Sequence, residues 1–408
     1  MIASLKKHGG IKVLTLYAVL FITIIIGLKW LFFENLLNKA NFLNWDAEHY
    51  LWIKENGYEG FRIAFFPLFP LIWRLLSLDV FGIVLINSIV FLSSFYVLVK
   101  NLKIPVTEIL MYLSIPSFIF FFLPFSESVF FMSSTLLLLG LKYNKIPITC
   151  LGLLLATLSR PAFTIFVPAL IIAELMSGTR NKLMMRLGLY FSAILIGVIL
   201  VGIIQYLDTG DWFRFFSVQK GWGNELQLPK LPLTTWAGGA IVRLDGVAFF
   251  MGIFAGGFLA AFLIRLKSLR EISISKEVIF SLAYLGGITL SVLLFRGGSL
   301  FSLNRFIFAT PFIIVAFNFW INQKFKLSIR HLINIFGFIL LFWLLFGSYT
   351  HIQTFLKFLL LSMYVFLIFT IKSDKIQLGK ISMVLLILIN VIFQVILYVR
   401  FLNGGWVA

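Results

Sequence analysis

Carboxylates, arginines and one histidine stand in or beside strongly apolar sequence at several separate places in this chain of 408 residues. The first place is the segment 44–53, which reads NWDAEHYLWI and carries Asp46, Glu48 and His49. Ionisable side chains at membrane depth are costly and are usually retained for a function. Two acids and an imidazole at such a place predict acid–base chemistry.

The spacing from Trp45 onward predicts a short helix that lies along the membrane surface. Glu48 would point away from the face that carries most of the chemistry. Positions i, i+3, i+4 and i+7 share that face, and they are occupied by Asp46, His49, Tyr50 and Ile53. A purely structural alternative is that Asn44 caps this helix and that the two acids only favour its positive N-terminal end.

Three further charged residues stand at the ends of apolar runs. Glu127 lies in the segment Pro124–Ser128 between two such runs, where it is either functional or an acid exposed at a loop tip. Arg160 follows Ser159 and precedes Pro161, and it either holds a phosphate or reaches the lipid headgroups. Arg305 opens the run 303–321, where the helix dipole disfavours a cation, so an anionic partner is predicted.

Two aromatic segments complete the set of candidate residues. Gln219 and Trp222 stand at i and i+3 in a polar connection, which suits sugar or phosphate contact as well as an ordinary interface belt. The segment 65–70, FFPLFP, is too short to span a membrane. It either anchors its loop or forms the floor of a groove for a lipid chain. The one cysteine, Cys150, and four dispersed histidines give no metal-binding pattern.

The composition defines the elements that must position these residues. The chain is 61% hydrophobic and only 12% charged, with a mean hydropathy of +1.02. Soluble domains average about 45–50% apolar and about 25% charged residues, so an ordinary cytosolic enzyme, a disordered chain and a disulfide scaffold are excluded. An all-α polytopic membrane protein is predicted.

The net charge of +18 does not indicate a nucleic-acid partner, because the basic residues are scattered between apolar runs.

The apolar runs predict one membrane domain, 1–408, with about 11–13 membrane helices. Residues 146–176 form either one long helix or a hairpin of two short helices that turns at Arg160, before a proline. The hairpin places the basic loops on one side, as the positive-inside rule requires. The N-terminus is then inside, and the long loops 29–79 and 208–245 lie outside. The thirteen runs are 13–28, 80–99, 105–122, 125–141, 146–158, 162–176, 187–207, 246–264, 277–295, 303–321, 331–349, 352–371 and 381–399.

This topology places all the candidate residues at the outer face. Acids and arginines that converge at one leaflet predict a site for acid–base chemistry on an anionic lipid. The residues concerned are Asp46, Glu48, His49, Glu127, Arg160, Gln219, Trp222 and Arg305.

The segment Trp45–Ile53, followed by Gly57-Tyr58 and Ala64–Pro70, resembles the signature of the PIG-V mannosyltransferases. These GPI mannosyltransferase II-like enzymes add the second mannose of the glycosylphosphatidylinositol core in eukaryotes and have prokaryotic relatives. Weaker motifs follow in the same order, and the likeness covers roughly residues 13–321. They are Ser126-Glu127-Ser128, Ser159-Arg160-Pro161, Gln219 with Trp222, and Arg305-Phe306 before Pro311.

The resemblance implies a GT-C fold, which is a multi-helix membrane glycosyltransferase with its site at the outer or lumenal face. It also implies a polyprenyl- or dolichyl-phosphate mannose donor, a lipid-linked glycan acceptor, and Asp46 as the catalytic acidic residue. Lys, Ile and Phe usage is typical of a prokaryote with AT-rich coding. An integral, multi-pass protein of a prokaryotic plasma membrane, with its active site on the extracytoplasmic face, is therefore expected.

Residues and resemblance together give a mechanistic hypothesis. Asp46 is the general base that takes the proton of the acceptor hydroxyl, and Glu48 and His49 orient the acceptor or Asp46. Arg160 and Arg305 hold the donor phosphate. No cofactor is required; Asp46 and Glu48 could ligate a metal ion, but none is expected. The remaining substrate-binding candidates are Tyr50, Glu127, Gln219 and Trp222.

Two other classes of function are left open by the sequence. A lipid or glycan transporter, or flippase, would place its polar residues near the bilayer midplane, often on paired broken helices. A non-catalytic assembly partner in glycan synthesis would share the architecture without transferase activity.

Overall fold

The computed structural model describes residues 2–32, 35–176, 182–235, 244–264, 274–322, 329–347, 352–371 and 376–407. Within these ranges the chain is helical almost throughout, and the only β-type pairing is an isolated bridge between Thr234 and Ser299. Several of the basic loops used above to orient the chain, at 177–181, 265–273, 323–328 and 372–375, lie outside the described residues. The same holds for 236–243 within the second long loop.

Seventeen α-helices and three 3₁₀ helices make up the described part of the chain. The 3₁₀ helices are Lys39–Phe42, Gly60–Ala64 and Pro116–Phe122. The α-helices are α1 Ile2–Phe32, α2 Asp46–Asn56, α3 Leu68–Leu76, α4 Val80–Leu102, α5 Val106–Leu113, α6 Glu127–Lys142, α7 Ile146–Ser159, α8 Phe163–Met176, α9 Leu183–Thr209, α10 Arg214–Gly221, α11 Leu244–Ile264, α12 Lys276–Phe295, α13 Leu303–Phe308, α14 Pro311–Asn322, α15 Ile329–Leu345, α16 Ile352–Thr370 and α17 Ile376–Leu402.

Six of these helices are long and apolar enough to cross a membrane: α1, α4, α9, α11, α12 and α17. A seventh crossing results if Pro116–Phe122 and α6, which are bent by 105° to one another, are counted together. The shorter apolar helices include α7, α8 and α14. The chain is therefore an all-α, multi-pass membrane protein, whereas the total of 11–13 membrane helices stays a prediction.

The outer surface of the bundle has the character of a lipid-facing surface. Between residues 381 and 396 of α17 the exposed side chains are apolar and recur at helical spacing, whereas the polar Ser382, Asn390 and Gln394 are buried on the opposite face. This arrangement is the reverse of a soluble helix, and it is favourable only where the surrounding solvent is hydrocarbon. The exposed residues are Ile381, Val384, Leu385, Leu388, Ile392 and Ile396.

The hairpin predicted for 146–176 is confirmed. Helix α7 ends at Ser159 and α8 begins at Phe163, and the backbone of Arg160 between them is extended, at φ −156° and ψ 155°. Helices α6 and α7 pack closely because Gly152 has no side chain, since a Cβ there would lie 2.4 Å from the backbone nitrogen of Leu137. Antiparallel packing of α6 and α7 brings Glu127 and Arg160 to the same end of the bundle.

A second group of buried charges holds the opposite end of the bundle together. Glu174, near the end of α8, accepts hydrogen bonds from Arg186 of α9 at 2.8 Å and from Lys276 of α12 at 2.9 Å. The Glu174 side chain is fully buried. Arg160 precedes α8 and Glu174 lies near its end, so about 20 Å separate the two charged groups at 1.5 Å per helical residue.

Two of the predicted apolar runs are interrupted. The run 105–122 consists of α5 and a 3₁₀ helix, and the run 303–321 consists of α13 and α14. A buried break leaves carbonyl groups that need donors, and Gln394 of α17 donates to the carbonyls of Leu113 and Ile115 at 2.7 and 2.8 Å. Asn87 of α4 does the same for Leu123 and Phe125 at 2.7 and 2.9 Å. These amides fix the backbone that leads into Glu127.

Candidate functional site

Four charged side chains from four parts of the chain meet in one cluster, which we call the charge cluster: Asp46, Glu127, Arg160 and Arg305. Glu127 Oε1 forms ion pairs with the guanidinium groups of both Arg160 and Arg305. The other edge of Arg305 reaches Asp46, with 2.5 Å between Nη1 and Oδ2. Two cations and two anions thus form one network, with Arg305 at its centre.

The two carboxylates of the charge cluster differ in accessibility. The Glu127 side chain is fully buried, whereas 17% of the Asp46 side chain is exposed. The idea that Glu127 is an acid exposed at a loop tip is therefore wrong, because the bend before α6 turns its first residue inward. Asp46 is the carboxylate that a molecule outside the protein can reach.

The predicted helix that presents Asp46 is confirmed and runs from Asp46 to Asn56 as α2. Side chains from the following loop and from α3 hold it in place. The Tyr50 ring packs edge-on against Phe65 and Phe69 at 5.1 and 5.0 Å, and its hydroxyl donates to Ser126 Oγ at 2.8 Å. Arg74 of α3 donates to the carbonyls at the end of α2. The segment 65–70 thus anchors this loop, as one of the two interpretations held.

The predicted capping of α2 by Asn44 is wrong. Residue 45 occupies the N-cap position and makes no side-chain capping bond. The Asn44 amide instead donates to the carbonyls of Asn41 and Phe401 at 2.8 and 2.9 Å. The asparagine is used to attach the loop to the end of α17, a long-range contact that no local pattern reveals.

Arg160 and Arg305 are surrounded by aromatic rings as well as by carboxylates. The Arg305 guanidinium lies 4.8 Å from the Phe125 ring centre and 5.2 Å from that of Phe120, and Arg160 lies 5.3 Å from that of Phe130. Rings of this kind attract cations and exclude water. Electrostatic interactions within the charge cluster are correspondingly strong.

A buried acid that the sequence reasoning missed positions Arg305. Asp245, at the start of α11, accepts hydrogen bonds from the backbone and side-chain nitrogens of Asn304 at 2.8 and 2.7 Å. Asn304 in turn accepts from Ser117 at 2.8 Å. Its neighbour Arg305 is thereby fixed. A carboxylate at the start of an apolar run was the available signal for Asp245.

Of the remaining candidate residues, Glu48 and His49 lie on α2, and Gln219 and Trp222 lie in and directly after α10. The His49 ring lies 4.9 Å from the Phe65 ring and 6.1 Å from that of Trp222, so His49 and Trp222 belong to one aromatic wall beside Asp46. Glu48 is exposed and points away, as predicted. Gln219 accepts from Asn224, which itself accepts from Arg296, at 2.7 and 3.0 Å. It is thus held by its own loop.

Several polar atoms of the site have no hydrogen-bond partner among the described residues although they are buried. They are Arg160 Nη1, Glu127 Oε2 and His49 Nδ1. Buried polar atoms are normally satisfied, so these three atoms of the site are available to form hydrogen bonds with a ligand. In the same described part of the chain, no group of three or more His, Cys, Asp or Glu side chains is placed to hold a metal ion.

Searches of protein-family models, curated proteins and solved structures find no match to this chain. The protein is an all-α, multi-pass membrane protein with a buried charge cluster. Its resemblance to the PIG-V mannosyltransferases stays a prediction.

Burial lowers the pKa of His49 below its ordinary value, although the nearby Asp46 carboxylate opposes this effect. The folded protein therefore binds a proton at His49 less readily than the unfolded chain, so stability falls as pH drops from the ordinary histidine pKa, about 6.5, through the folded value. We expect the unfolding midpoint to fall between pH 7.5 and about 5, and His49→Gln to flatten that slope, as measured by thermal unfolding in detergent. An unchanged slope in the variant would contradict the assignment.

Proposed function

We propose that the protein is a membrane glycosyltransferase that moves a sugar from a polyprenyl-phosphate donor to a lipid-linked acceptor at the extracytoplasmic face. Mannose is the donor sugar that the resemblance implies. The observation that carries the proposal is the arrangement of Asp46 and Arg305. A carboxylate accessible from outside is paired with a buried guanidinium that is itself part of a two-arginine site.

The two guanidinium groups support a phosphate as the ligand. Guanidinium matches phosphate with two parallel hydrogen bonds, and such pairs strengthen where water is excluded. Arg160 Nη1 has no partner among the described residues, so it has a donor left for a phosphate oxygen. A phosphate linked to an apolar chain suits a site enclosed by phenylalanine rings at the end of a membrane bundle.

The reaction is a single displacement at the anomeric carbon. The acceptor oxygen attacks that carbon and forms the new glycosidic bond, while the bond from the carbon to the phosphate oxygen breaks and its electron pair stays on the phosphate. Asp46 takes the proton of the acceptor hydroxyl as general base. Arg160 and Arg305 stabilise the charge that develops on the leaving phosphate.

The ion pair between Asp46 and Arg305 links donor binding to catalysis. The Asp46 carboxylate lies 2.5 Å from the Arg305 guanidinium, so its Oδ2 is already engaged in an ion pair. A donor phosphate competes with Asp46 for Arg305. Binding of the donor thus frees Asp46 to accept the proton of the acceptor, which restricts the active base to the complex in which the donor is present.

The aromatic wall provides a surface for the sugar. Trp222 is 39% exposed, and its indole nitrogen donates to the Phe61 carbonyl at 3.4 Å. The ring is thus fixed beside His49. An exposed indole fixed in this way suits the apolar face of a hexose, and the neighbouring imidazole, neutral at pH 7, suits a sugar hydroxyl.

Reconstitution tests this proposal. Purified protein in liposomes is supplied with polyprenyl-phosphate mannose and a lipid extract as the source of acceptors, and the lipids are then analysed by mass spectrometry. We expect a product heavier than its acceptor by one hexose residue, together with release of polyprenyl phosphate. Donor consumed by hydrolysis alone, or lipid moved across the bilayer with no transfer, would overturn the proposal, and the latter result would favour a transporter.

A further inference from the structure

The backbone of Trp45, the residue before Asp46, has a conformation that side chains disfavour. Its φ is 59° and its ψ is −125°, which corresponds to the first central position of a type II′ turn, where glycine is preferred. For a bulky residue this conformation is an outlier that persists only when the surroundings enforce it. The strained residue is also the one from which α2 and Asp46 start.

The surroundings that enforce this conformation come from the residues that follow α17. The Trp45 indole nitrogen donates to the carbonyl of Gly404 at 3.1 Å, and the Trp45 ring packs edge-on against that of Trp406 at 4.9 Å. The bond from Asn44 to the Phe401 carbonyl, described above, adds a third attachment. Two consecutive loop residues are therefore fastened to Phe401–Trp406.

The same end of α17 also contacts the other side of the charge cluster. The Phe401 ring is fully buried and lies 5.5 Å from that of Phe125, which in turn lies 4.8 Å from the guanidinium of Arg305. One segment thus touches the residue that precedes Asp46 and the ring that contacts Arg305. The two partners of the ion pair are 259 residues apart in the sequence.

We propose that residues 401–406 form a clamp that holds Trp45 in its strained conformation and so places the Asp46 carboxylate opposite Arg305. Trp406 is the principal positioning residue of this clamp, and Trp45 is its target. Neither residue needs to touch the substrate. Without the Trp406 ring, the backbone at residue 45 relaxes towards an ordinary φ, which rotates the first turn of α2 and moves Asp46 away from the guanidinium.

The kinetic test of the clamp rests on the proposed function. Trp406→Ala is expected to lower kcat by about 10- to 100-fold, because a shift of about 1 Å in a catalytic group has an effect of this size. The KM for the donor is expected to fall by up to about 10-fold, since Asp46 no longer competes with the donor phosphate for Arg305 while both arginines keep their ion pairs with Glu127. Trp406→Phe, which retains a ring, should restore kcat to within about threefold.

A matched control and a milder variant keep this test decisive. Trp30 is 82% exposed at the end of α1, and Trp30→Ala should leave kcat unchanged. Trp45→Phe keeps the ring contact but removes the donor to Gly404, so kcat should fall about fivefold, as for one neutral hydrogen bond. A Trp406→Ala protein with kcat within about twofold of the wild type would overturn the clamp, as would an equal loss in Trp30→Ala.

A second readout does not depend on transfer. In a Cys150→Ser background, Asp46→Cys places a thiol beside Arg305, which lowers the pKa of that thiol below the ordinary value of about 8.5. Adding Trp406→Ala should raise the pH midpoint of alkylation by about one unit, while Trp30→Ala should not. No shift would refute the clamp. If this shift is seen and the wild-type protein transfers no sugar, the clamp is supported and only the proposed function is refuted.

Discussion

Asp46→Asn is expected to abolish sugar transfer, lowering kcat by about 10²- to 10⁴-fold, the usual contribution of a general base. The amide has the shape of the carboxylate but cannot take a proton. Arg305 keeps its ion pair with Glu127 in the variant, so no cation is left buried without a partner, and the protein should stay folded. The measurement is the initial rate of hexose transfer in liposomes.

Glu55→Gln on the same helix is the control for this prediction. Glu55 is exposed, and the one ion pair it forms with a described residue is a long one with Lys54, at 3.6 Å, so its neutralisation should leave kcat and stability within error of the wild type. Near-normal turnover in Asp46→Asn would show that the carboxylate is not the base.

Glu127→Gln is expected to have a large effect on stability. Glu127 is fully buried between two guanidinium groups, and removing one partner of a buried ion network typically costs about 3–5 kcal/mol because the remaining charges lose their compensation. We expect a marked fall in the unfolding midpoint in detergent. We also expect a loss of transfer in the protein that does fold, because Arg160 and Arg305 are no longer held side by side.

Glu174→Gln provides a matched comparison for Glu127→Gln. Glu174 is also fully buried between two cations, Arg186 and Lys276, but at the opposite end of the bundle. Its neutralisation should lower the unfolding midpoint by a similar amount and leave kcat of the folded fraction unchanged. The account is contradicted if the two variants lose kcat equally, or if Glu127→Gln keeps both its midpoint and its activity.

Local sequence signals predicted the individual parts of the site. The i, i+3, i+4 spacing predicted the helix that begins at Asp46. The proline after Arg160 predicted the turn between α7 and α8. The unfavourable position of Arg305 at a helix start predicted an anionic partner. The structure supplies two such partners, Glu127 and Asp46. Each of these inferences depends on neighbours within a few residues, where propensity and charge act directly.

The parts that the sequence did not predict depend on contacts between distant segments. Asn44 looked like a cap because its position before a helix is typical of one, yet its amide bonds to residue 401. Asp245 acts on Asn304, 59 residues away. The strain at Trp45 follows from its attachment to Gly404 and Trp406, which no local pattern encodes.

The proposed mechanism requires that Asp46 and the donor phosphate compete for the same guanidinium. In the charge cluster two carboxylates balance two cations, so a phosphate gains full access to Arg305 only when Asp46 is displaced. Neutralising Asp46 should therefore strengthen the binding of a lipid phosphate while it abolishes transfer. If Asp46 had a merely structural role, its neutralisation would not both strengthen phosphate binding and abolish transfer.

The most direct test is the affinity of polyprenyl phosphate for wild-type protein and Asp46→Asn, measured by calorimetry in the same detergent together with turnover. The account predicts that Asp46→Asn binds the lipid phosphate about 5- to 10-fold more tightly, equivalent to about 1–1.4 kcal/mol, and transfers no sugar. An unchanged or weaker affinity in Asp46→Asn would contradict the claim that Arg305 is exchanged between Asp46 and the phosphate.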